Sequence, residues 1–258
     1  MISSSKPEKF TVRIKRQDAP GEPEYWHEFE MAYRPNLNVI SVLQEIAANP
    51  VTTGGEDARP PVWDAGCLEE VCGACTMVIN GHVRQSCSCL VDDLLEADGT
   101  TITLEPMTKF PVVKDLFVDR QRVFEALKKV KGWVPIDGMH ELGEGPKESP
   151  KQQELRYALS RCMTCGCCLE ACPQFTKSND FIGPHAFAQA LLFNLHGTGK
   201  TLKGERLDVL MQPGGISDCG NAQNCVKVCP KEVPLTEAIA HIGRQTTVHS
   251  ITKFFTGE

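Results

Sequence analysis

Residues 162–173, CMTCGCCLEACP, decide the fold of the second half of the chain. Four of their cysteines keep the spacing C-x2-C-x2-C-x3-C and are followed directly by proline: Cys162, Cys165, Cys168 and Cys172. In bacterial proteins this run holds [4Fe–4S] clusters, and where two clusters occur its fourth cysteine ligates the other one. The run therefore predicts a second group of cysteines. Cys167 is out of phase and is interpreted as a packing thiol.

The second group lies at residues 219–230, CGNAQNCVKVCP, where Ala222 stands at the position of an expected cysteine. Its cysteines are Cys219, Cys225 and Cys229. Crossed ligation predicts one [4Fe–4S] cluster held by Cys162, Cys165, Cys168 and Cys229. It leaves a second site with only three thiolates, from Cys172, Cys219 and Cys225. Because alanine cannot coordinate iron, we expect this site to lack one corner and to hold a [3Fe–4S] cluster.

Two alternatives for this site stay open at the level of sequence. A non-protein ligand could complete a [4Fe–4S] cluster in place of the missing thiolate. The group could also be a degenerate motif that binds nothing, although its cysteines and Pro230 keep the spacing of a cluster-binding run.

A third cysteine group lies in the first half of the chain, in CLEEVCGACTMVINGHVRQSC. Its members keep the spacing C-x4-C-x2-C-x11-C: Cys67, Cys72, Cys75 and Cys87. This is the plant-type pattern for a [2Fe–2S] cluster, whereas zinc sites more often use two separated C-x2-C pairs. Inert buried cysteines are the remaining alternative. Eleven of the thirteen cysteines are thus assigned as ligands, and Cys89 and Cys167 are left as packing thiols.

Composition limits the classes of function. The chain has 258 residues, 41% hydrophobic and 23% charged, and a formal net charge of −6, which argues against general nucleic-acid binding. The first ten residues show no secretory signal, and no run approaches the length of a membrane-spanning helix. We therefore expect a cytosolic compartment, in which so many cysteines indicate metal ligands rather than disulfides.

Hydrophobic periodicity predicts two domains, 1–112 and 113–258. In the first, strands are expected at 9–16, 25–31 and 100–106, a helix capped by Asn38, and a hairpin turning at Asn80-Gly81. These elements would form a small mixed sheet that holds one helix. In the second domain, a Gly/Pro/Glu-rich loop is expected at 137–150, and helices are expected at 115–131, 151–161, 184–194, 204–211 and 234–244.

Three clusters on one chain predict an electron relay, because iron–sulfur clusters exchange single electrons. The sequence contains neither a G-x-G-x-x-G fingerprint nor a P-loop. We therefore expect the chain to take electrons from a partner that carries the substrate and its organic cofactor.

The order and type of these motifs resemble the iron–sulfur subunit of the succinate dehydrogenase/fumarate reductase family. The resemblance covers nearly the whole chain and rests on CLEEVCGAC with Cys87, on the two runs at 162–173 and 219–230, and on RPNLNVISVL and FIGP. It implies an α+β fold, with an N-terminal plant-type ferredoxin β-grasp domain followed by a C-terminal α-helical ferredoxin-like domain.

The resemblance also implies partners and a location. A flavoprotein subunit would carry covalently bound FAD, and electrons would pass through the [2Fe–2S], [4Fe–4S] and [3Fe–4S] clusters to a quinone near the last cluster. Membrane anchor subunits would hold the chain peripherally at the cytoplasmic face of the cell membrane.

One departure from the family bears on the quinone. Ubiquinone-reducing members typically carry a tryptophan shortly after the first Cys-Pro, where this chain has Thr176 and Lys177. The pattern resembles the menaquinone-linked members, which pair with a single di-haem cytochrome b anchor. The direction of the reaction stays open between succinate oxidation and fumarate reduction. Other open functions are the iron–sulfur subunit of another respiratory dehydrogenase, a free-standing ferredoxin-like carrier and a zinc-dependent structural module.

Overall fold

The computed structural model describes residues 6–135 and 147–256, except the side chains of 96–98. The chain divides into two compact units, Met1–Arg120 and Gln121–Glu258. This division falls a few residues after the domain boundary predicted at 112/113. The intervening segment belongs with the first unit because the amides of Asp115 and Leu116 donate hydrogen bonds to carbonyls of Gln17 and Val62.

The first unit is built on a five-stranded sheet with the order β2-β1-β5-β3-β4. Its strands are β1 (Lys9–Arg16), β2 (Tyr25–Ala32), β3 (Thr76–Ile79), β4 (His82–Gln85) and β5 (Thr101–Glu105). β1 lies antiparallel to β2 and parallel to β5, and β3 lies antiparallel to both β4 and β5. The sheet is therefore mixed, as predicted.

Helix α1 (Val39–Ala48) covers this sheet with its apolar face. Val39, Leu43 and Ile46 of the helix share one core cluster with Val12 and Ile14 of β1. The helix begins at the predicted cap, because the Asn38 side chain accepts a hydrogen bond of 2.8 Å from the amide of Ser41.

The predicted β3–β4 hairpin turns at Asn80-Gly81, and both residues have left-handed backbone angles, with φ of 49° and 75°. A two-residue turn with two positive φ angles matches the twist of the flanking strands. The hairpin returns the chain toward the cysteine loop, so that Cys87 follows β4 close to Cys75.

The prediction of a helix from residue 115 was wrong at its start. Residues before Arg120 form a short hairpin of β6 (Val112–Lys114) and β7 (Phe117–Val118), and helix α3 spans only Gln121–Lys129. The chain turns at Asp115, whose φ is 48° and whose carboxylate is fully buried beside Arg16. Helix α2 (Val91–Asp98) is a further element that the sequence pattern did not predict.

The second unit is helical. Besides α3, the structure has helices α4 (Pro150–Ser160), α5 (Cys167–Glu170), α6 (Pro184–Leu195), α7 (Lys203–Leu210), α8 (Asn224–Lys227) and α9 (Leu235–Thr256), with 3₁₀ turns at Gly199–Leu202 and Ile216–Asp218. Helix α9 runs well beyond the predicted end at 244. The loop predicted at 137–150 lies mostly outside the described residues.

Candidate iron–sulfur sites

The first candidate site is the loop from Cys67 to Cys75, whose backbone amides point at sulfur. The amides of Glu69, Val71 and Cys72 donate hydrogen bonds of 3.2–3.4 Å to the Sγ of Cys67. These three donors lower the pKa of the Cys67 thiol to about 7, because they favour the thiolate. Thiolate is the form that ligates metal, so the loop prepares this sulfur for iron.

The other thiols of this loop receive the same kind of contact. The Sγ of Cys72 accepts from the amides of Cys67 and Ala74, at 3.3 and 3.4 Å. The Sγ of Cys87, which arrives after β4, accepts from the amide of Glu70 at 3.3 Å. Amides converging on several sulfurs from one loop form a concave anion-binding surface.

Left-handed backbone angles make this convergence possible. Leu68 and Glu70 have φ of 61° and 55°, and Gly73 has φ of 70°. Non-glycine residues rarely adopt such angles, and the strain persists where the surrounding structure enforces it, commonly at functional sites. Arg120 supports the loop by donating a 2.6 Å hydrogen bond to the carbonyl of Gly73.

Cys75 lies deeper than Cys67 and Cys72. Burial raises the pKa of the Cys75 thiol to about 12, with the neighbouring Cys87 thiol adding to the rise. The Sγ of Cys75 lies 3.5 Å from Oε1 of Gln85, and the Gln85 amide donates to the hydroxyl of Thr76 at 2.7 Å. Ser86 donates to the carbonyl of Cys75 at 2.6 Å. A buried polar network thus fixes the inner side of the loop.

The second candidate site is a small cavity in the helical unit. Four thiols predicted to act together line it, namely Cys162, Cys165, Cys168 and Cys229, and Cys167 and His185 also line it. Burial, with the neighbouring thiols adding to the effect, raises the pKa of Cys162 to about 11 and that of Cys168 well above its usual value. The chain turns through left-handed angles at Thr164 and Gly166, with φ of 54° and 93°.

The third candidate site is a separate cavity in the same unit. Cys172, Cys219 and Cys225 line it together with Ala222, so the structure places the alanine among the three predicted thiolates. The backbone is left-handed on both sides of Ala222, at Asn221 and Gln223.

Close packing holds the two cysteine runs together beside this third cavity. A Cβ at Gly220 would lie 2.5 Å from Nε2 of Gln174, so a side chain there would displace the amide. Asn224 donates a 3.1 Å hydrogen bond to the carbonyl of Ala171, next to Cys172. These contacts join the two cysteine runs that supply the site.

Sequence reasoning missed Arg122, which organises the segment after Pro173. Its guanidinium donates to the carbonyls of Thr176 and Asn179 and lies 4.1 Å from the ring centroid of Phe175. Arg122 is more than fifty residues from these partners, so local pattern gave no signal for it. Residues 175–179, which include the Thr176 and Lys177 compared above with the quinone-contacting segment of the family, are therefore held against helix α3 by Arg122.

The two thiols not assigned as ligands are buried. Cys89 is 7% exposed and Cys167 is fully buried, although Cys167 also lines the second cavity. Within the described parts of the chain, no group of three or more His, Cys, Asp or Glu side chains is placed to hold a single metal ion. No helix among the residues described is long and apolar enough to cross a membrane.

The thiol chemistry nevertheless fits iron–sulfur clusters. Cys162, Cys168 and Cys225 have raised pKa values, because burial and neighbouring thiols disfavour their thiolates. Cationic iron offsets that cost, and binding it releases the protons. In all three loops, left-handed residues bend the backbone around the sulfurs.

Comparison with known proteins agrees with this geometry. Residues 11–125 match the family model of a 2Fe-2S iron-sulfur cluster binding domain, and residues 158–233 match that of a 4Fe-4S dicluster domain. A succinate dehydrogenase iron-sulfur subunit from Bacillus subtilis is 54% identical over 96% of this chain and 97% of its own length. The chain belongs to the family of succinate dehydrogenase iron–sulfur subunits. The predicted family is therefore confirmed.

More distant relatives are also similar over nearly the whole chain, at lower sequence identity. A fumarate reductase iron-sulfur subunit from Wolinella succinogenes is 27% identical over 91% of this chain and 96% of its own length. Among solved structures, a chain of the Mycobacterium smegmatis Sdh1 complex matches with a TM-score of 0.76 at 19% identity, covering 92% of this chain and 95% of that one. The predicted α+β fold, with a [2Fe–2S] domain before a helical [4Fe–4S]-type domain, is confirmed.

Proposed function

We propose that this family member is the electron-transfer subunit of a succinate dehydrogenase (quinone) complex. The observation that carries the proposal is the gathering of eleven cysteines into three loops and cavities, in a chain 54% identical to a succinate dehydrogenase iron-sulfur subunit. When bound, the three clusters would pass single electrons between a FAD-containing flavoprotein and a membrane quinone. The succinate site is expected on that flavoprotein.

The ligands are proposed from the grouping of the thiols. Cys67, Cys72, Cys75 and Cys87 would hold the [2Fe–2S] cluster. Cys162, Cys165, Cys168 and Cys229 would hold the [4Fe–4S] cluster, and Cys172, Cys219 and Cys225 the [3Fe–4S] cluster. The placement of Ala222 in the third cavity supports the three-iron assignment, because it offers a methyl group where a fourth ligand would stand.

The surrounding residues would act by positioning and hydrogen bonding. Amides directed at sulfur stabilise negative charge on the ligands, and such bonds raise the reduction potential of a cluster. Arg120 would keep the first loop in place through the carbonyl of Gly73, and Gln85 through the hydroxyl of Thr76. Around the second and third cavities four of the proposed ligands are buried and shielded from water, namely Cys165, Cys168, Cys172 and Cys225.

The proposed function includes a specific membrane anchor, membrane face and quinone. A membrane anchor, of the single di-haem cytochrome b type, would hold the chain peripherally at the cytoplasmic face of the cell membrane. The quinone would bind near the [3Fe–4S] site, and menaquinone is favoured because Thr176 and Lys177 occupy the region where a tryptophan contacts ubiquinone in other members.

A second candidate function is the same relay run in reverse, as a fumarate reductase subunit. Relatives named fumarate reductase iron-sulfur subunits, at 27% and 31% identity, support this candidate. The much higher identity to a succinate dehydrogenase subunit favours succinate oxidation.

The test is purification of the native complex through a tag on this chain. We expect a flavoprotein to be recovered with it, about nine irons per chain and negligible zinc, and reduction of the clusters by added succinate. Recovery without a flavoprotein, or stoichiometric zinc, would overturn the proposal. Efficient fumarate reduction by a low-potential quinol with little succinate oxidation would reverse the direction.

A further inference from the structure

A basic groove lies between helices α7 and α9 of the helical unit, and none of the described residues that line it is a cysteine. It has a volume of about 490 Å³, and the residues that line it include four basic side chains and no carboxylate. The basic residues are Lys203, His241, Arg244 and His249. A concave surface lined by one sign of charge concentrates ions of the opposite sign, so the groove favours an anion.

The charges of two of these side chains are not neutralised within the described parts of the unit. Lys203 and Arg244 form no ion pair there. Two nearby carboxylates are already paired. Asp208 lies 2.9 Å from Nε2 of His249 and 3.0 Å from Nζ of Lys253, and Glu237 lies 3.7 Å from Nε2 of His241. The positive charges of Lys203 and Arg244 are therefore available to a ligand.

An apolar stripe continues from the groove along α9. Val248, a lining residue of the groove, is 56% exposed, Ile251 is 54% exposed, and Phe254 and Phe255 are more than 80% exposed. Arg244, Val248, Ile251 and Phe255 recur at intervals of four, three and four residues, so they lie along one face of the helix. Large apolar side chains clustered in this way mark an interaction surface rather than ordinary surface scatter.

We propose that this surface binds an anionic phospholipid at the face of a bilayer. Lys203 and Arg244 would contact the lipid phosphate in the groove. Phe254 and Phe255 would enter the boundary between headgroups and acyl chains, as the aromatic residues of interfacial amphipathic helices do. The inference goes beyond the proposed electron transfer and uses none of the cluster ligands.

Two features favour a membrane lipid over a soluble phosphate. A soluble anion would satisfy the basic groove but would leave the apolar stripe in water, whereas a lipid in a bilayer satisfies both. The chain as a whole carries a net charge of −6, so attraction to an anionic surface must come from a local patch such as this groove. A second groove in the same unit, of about 620 Å³, mixes Lys151 and Arg161 with three glutamates and lacks such a bias.

The test measures binding of the full-length, cluster-containing chain to vesicles by co-sedimentation. We expect binding to phosphatidylglycerol vesicles and little to phosphatidylcholine vesicles. The double variant Lys203→Gln/Arg244→Gln should weaken phosphatidylglycerol binding about 20- to 30-fold, since each basic residue near an anionic surface contributes about fivefold. Replacing Phe254 and Phe255 with serine should weaken it at least about tenfold.

A matched control removes the same number of positive charges from exposed positions elsewhere in the unit, through Lys129→Gln/Lys151→Gln. This variant should bind as the unaltered chain does. Equal binding to both lipids, equal losses in the control, or displacement by inorganic phosphate beyond the effect of ionic strength would overturn the proposal. A different result would also overturn it: the unaltered chain does not bind vesicles, and the Lys203→Gln/Arg244→Gln substitutions release the membrane anchor from the purified complex. The surface would then be a protein interface. If vesicle binding fails while the cluster spectra are intact, only the lipid-binding proposal is overturned, and the electron-transfer proposal is unaffected.

Discussion

Neutralising the buried ion pair between Arg16 and Asp115 is expected to destabilise the first unit strongly. Both side chains are fully buried, and Nε of Arg16 lies 2.8 Å from Oδ1 of Asp115, although its N–H is not aligned for a hydrogen bond. The two oxygens of Asp115 also accept from the amides of Gln17 and Val62, at 3.2 and 3.0 Å. The carboxylate therefore joins the end of β1, the irregular segment that precedes the cysteine loop, and the β6–β7 hairpin.

The substitution Asp115→Asn keeps the shape of the side chain but removes its charge and one acceptor. Arg16 would then be a buried cation without a counter-charge, and one of the two backbone amides would face an NH₂ group. Breaking a buried pair in this way costs about 3–5 kcal/mol. With a urea m-value of about 2 kcal/mol per molar, the unfolding midpoint should fall by about 2 M.

Tryptophan fluorescence can follow the first unit by itself. The chain has three tryptophans, so a Trp133→Phe background leaves Trp26 and Trp63, both in the first unit. Glu30→Gln is the matched control, because it makes the same chemical change in the exposed Lys9–Glu30 pair and should shift stability by less than about 1 kcal/mol. A midpoint for Asp115→Asn equal to that of Glu30→Gln would refute the reasoning.

Two substitutions in the helical unit should also be costly. Gly183→Ala should destabilise it by about 2–5 kcal/mol, because Gly183 has φ of 86° and its Cβ would collide with the buried side chain of Leu169. Gly243→Ala, with open space around it, should be neutral or stabilising. Arg206→Met should cost more than about 3 kcal/mol, because the fully buried guanidinium donates to the carbonyl of Trp133 and two other backbone carbonyls. Urea unfolding followed by Trp133 fluorescence in a Trp26→Phe/Trp63→Phe background tests both, and a loss below about 1 kcal/mol in either would contradict its premise.

Local chemistry made much of the first unit predictable. Asn38 caps a helix and Asn80-Gly81 turns a hairpin because side chains or permissive backbones within a few residues determine those structures. The start of α3 was mispredicted for the opposite reason. Residues 115–118 fit a helical pattern, but Asp115 is held by partners at Arg16 and Val62, which are far away in sequence.

The grouping of the cysteines was likewise predictable, since spacing together with crossed ligation separated three sets and the structure gathers each set. The residues that support them were not. Gln85 reaches Thr76 because the two residues are paired across the β3–β4 hairpin. Arg122 and Arg206 donate to backbone carbonyls, and no sequence motif identifies those carbonyls. The length of α9 also escaped prediction, because its last turns are stabilised by few buried contacts and expose large apolar residues.

The most direct test of the proposed relay is electron paramagnetic resonance of the oxidised chain and its Ala222→Cys variant. The unaltered chain should show a [3Fe–4S] signal when oxidised. The variant places a fourth thiol in the third cavity and should lose that signal, gaining one iron per chain and a lower potential at this site. Ala222→Val, which adds bulk without a ligand, should keep the three-iron signal. A three-iron signal unchanged by Ala222→Cys would contradict the assignment of position 222 as the vacant corner.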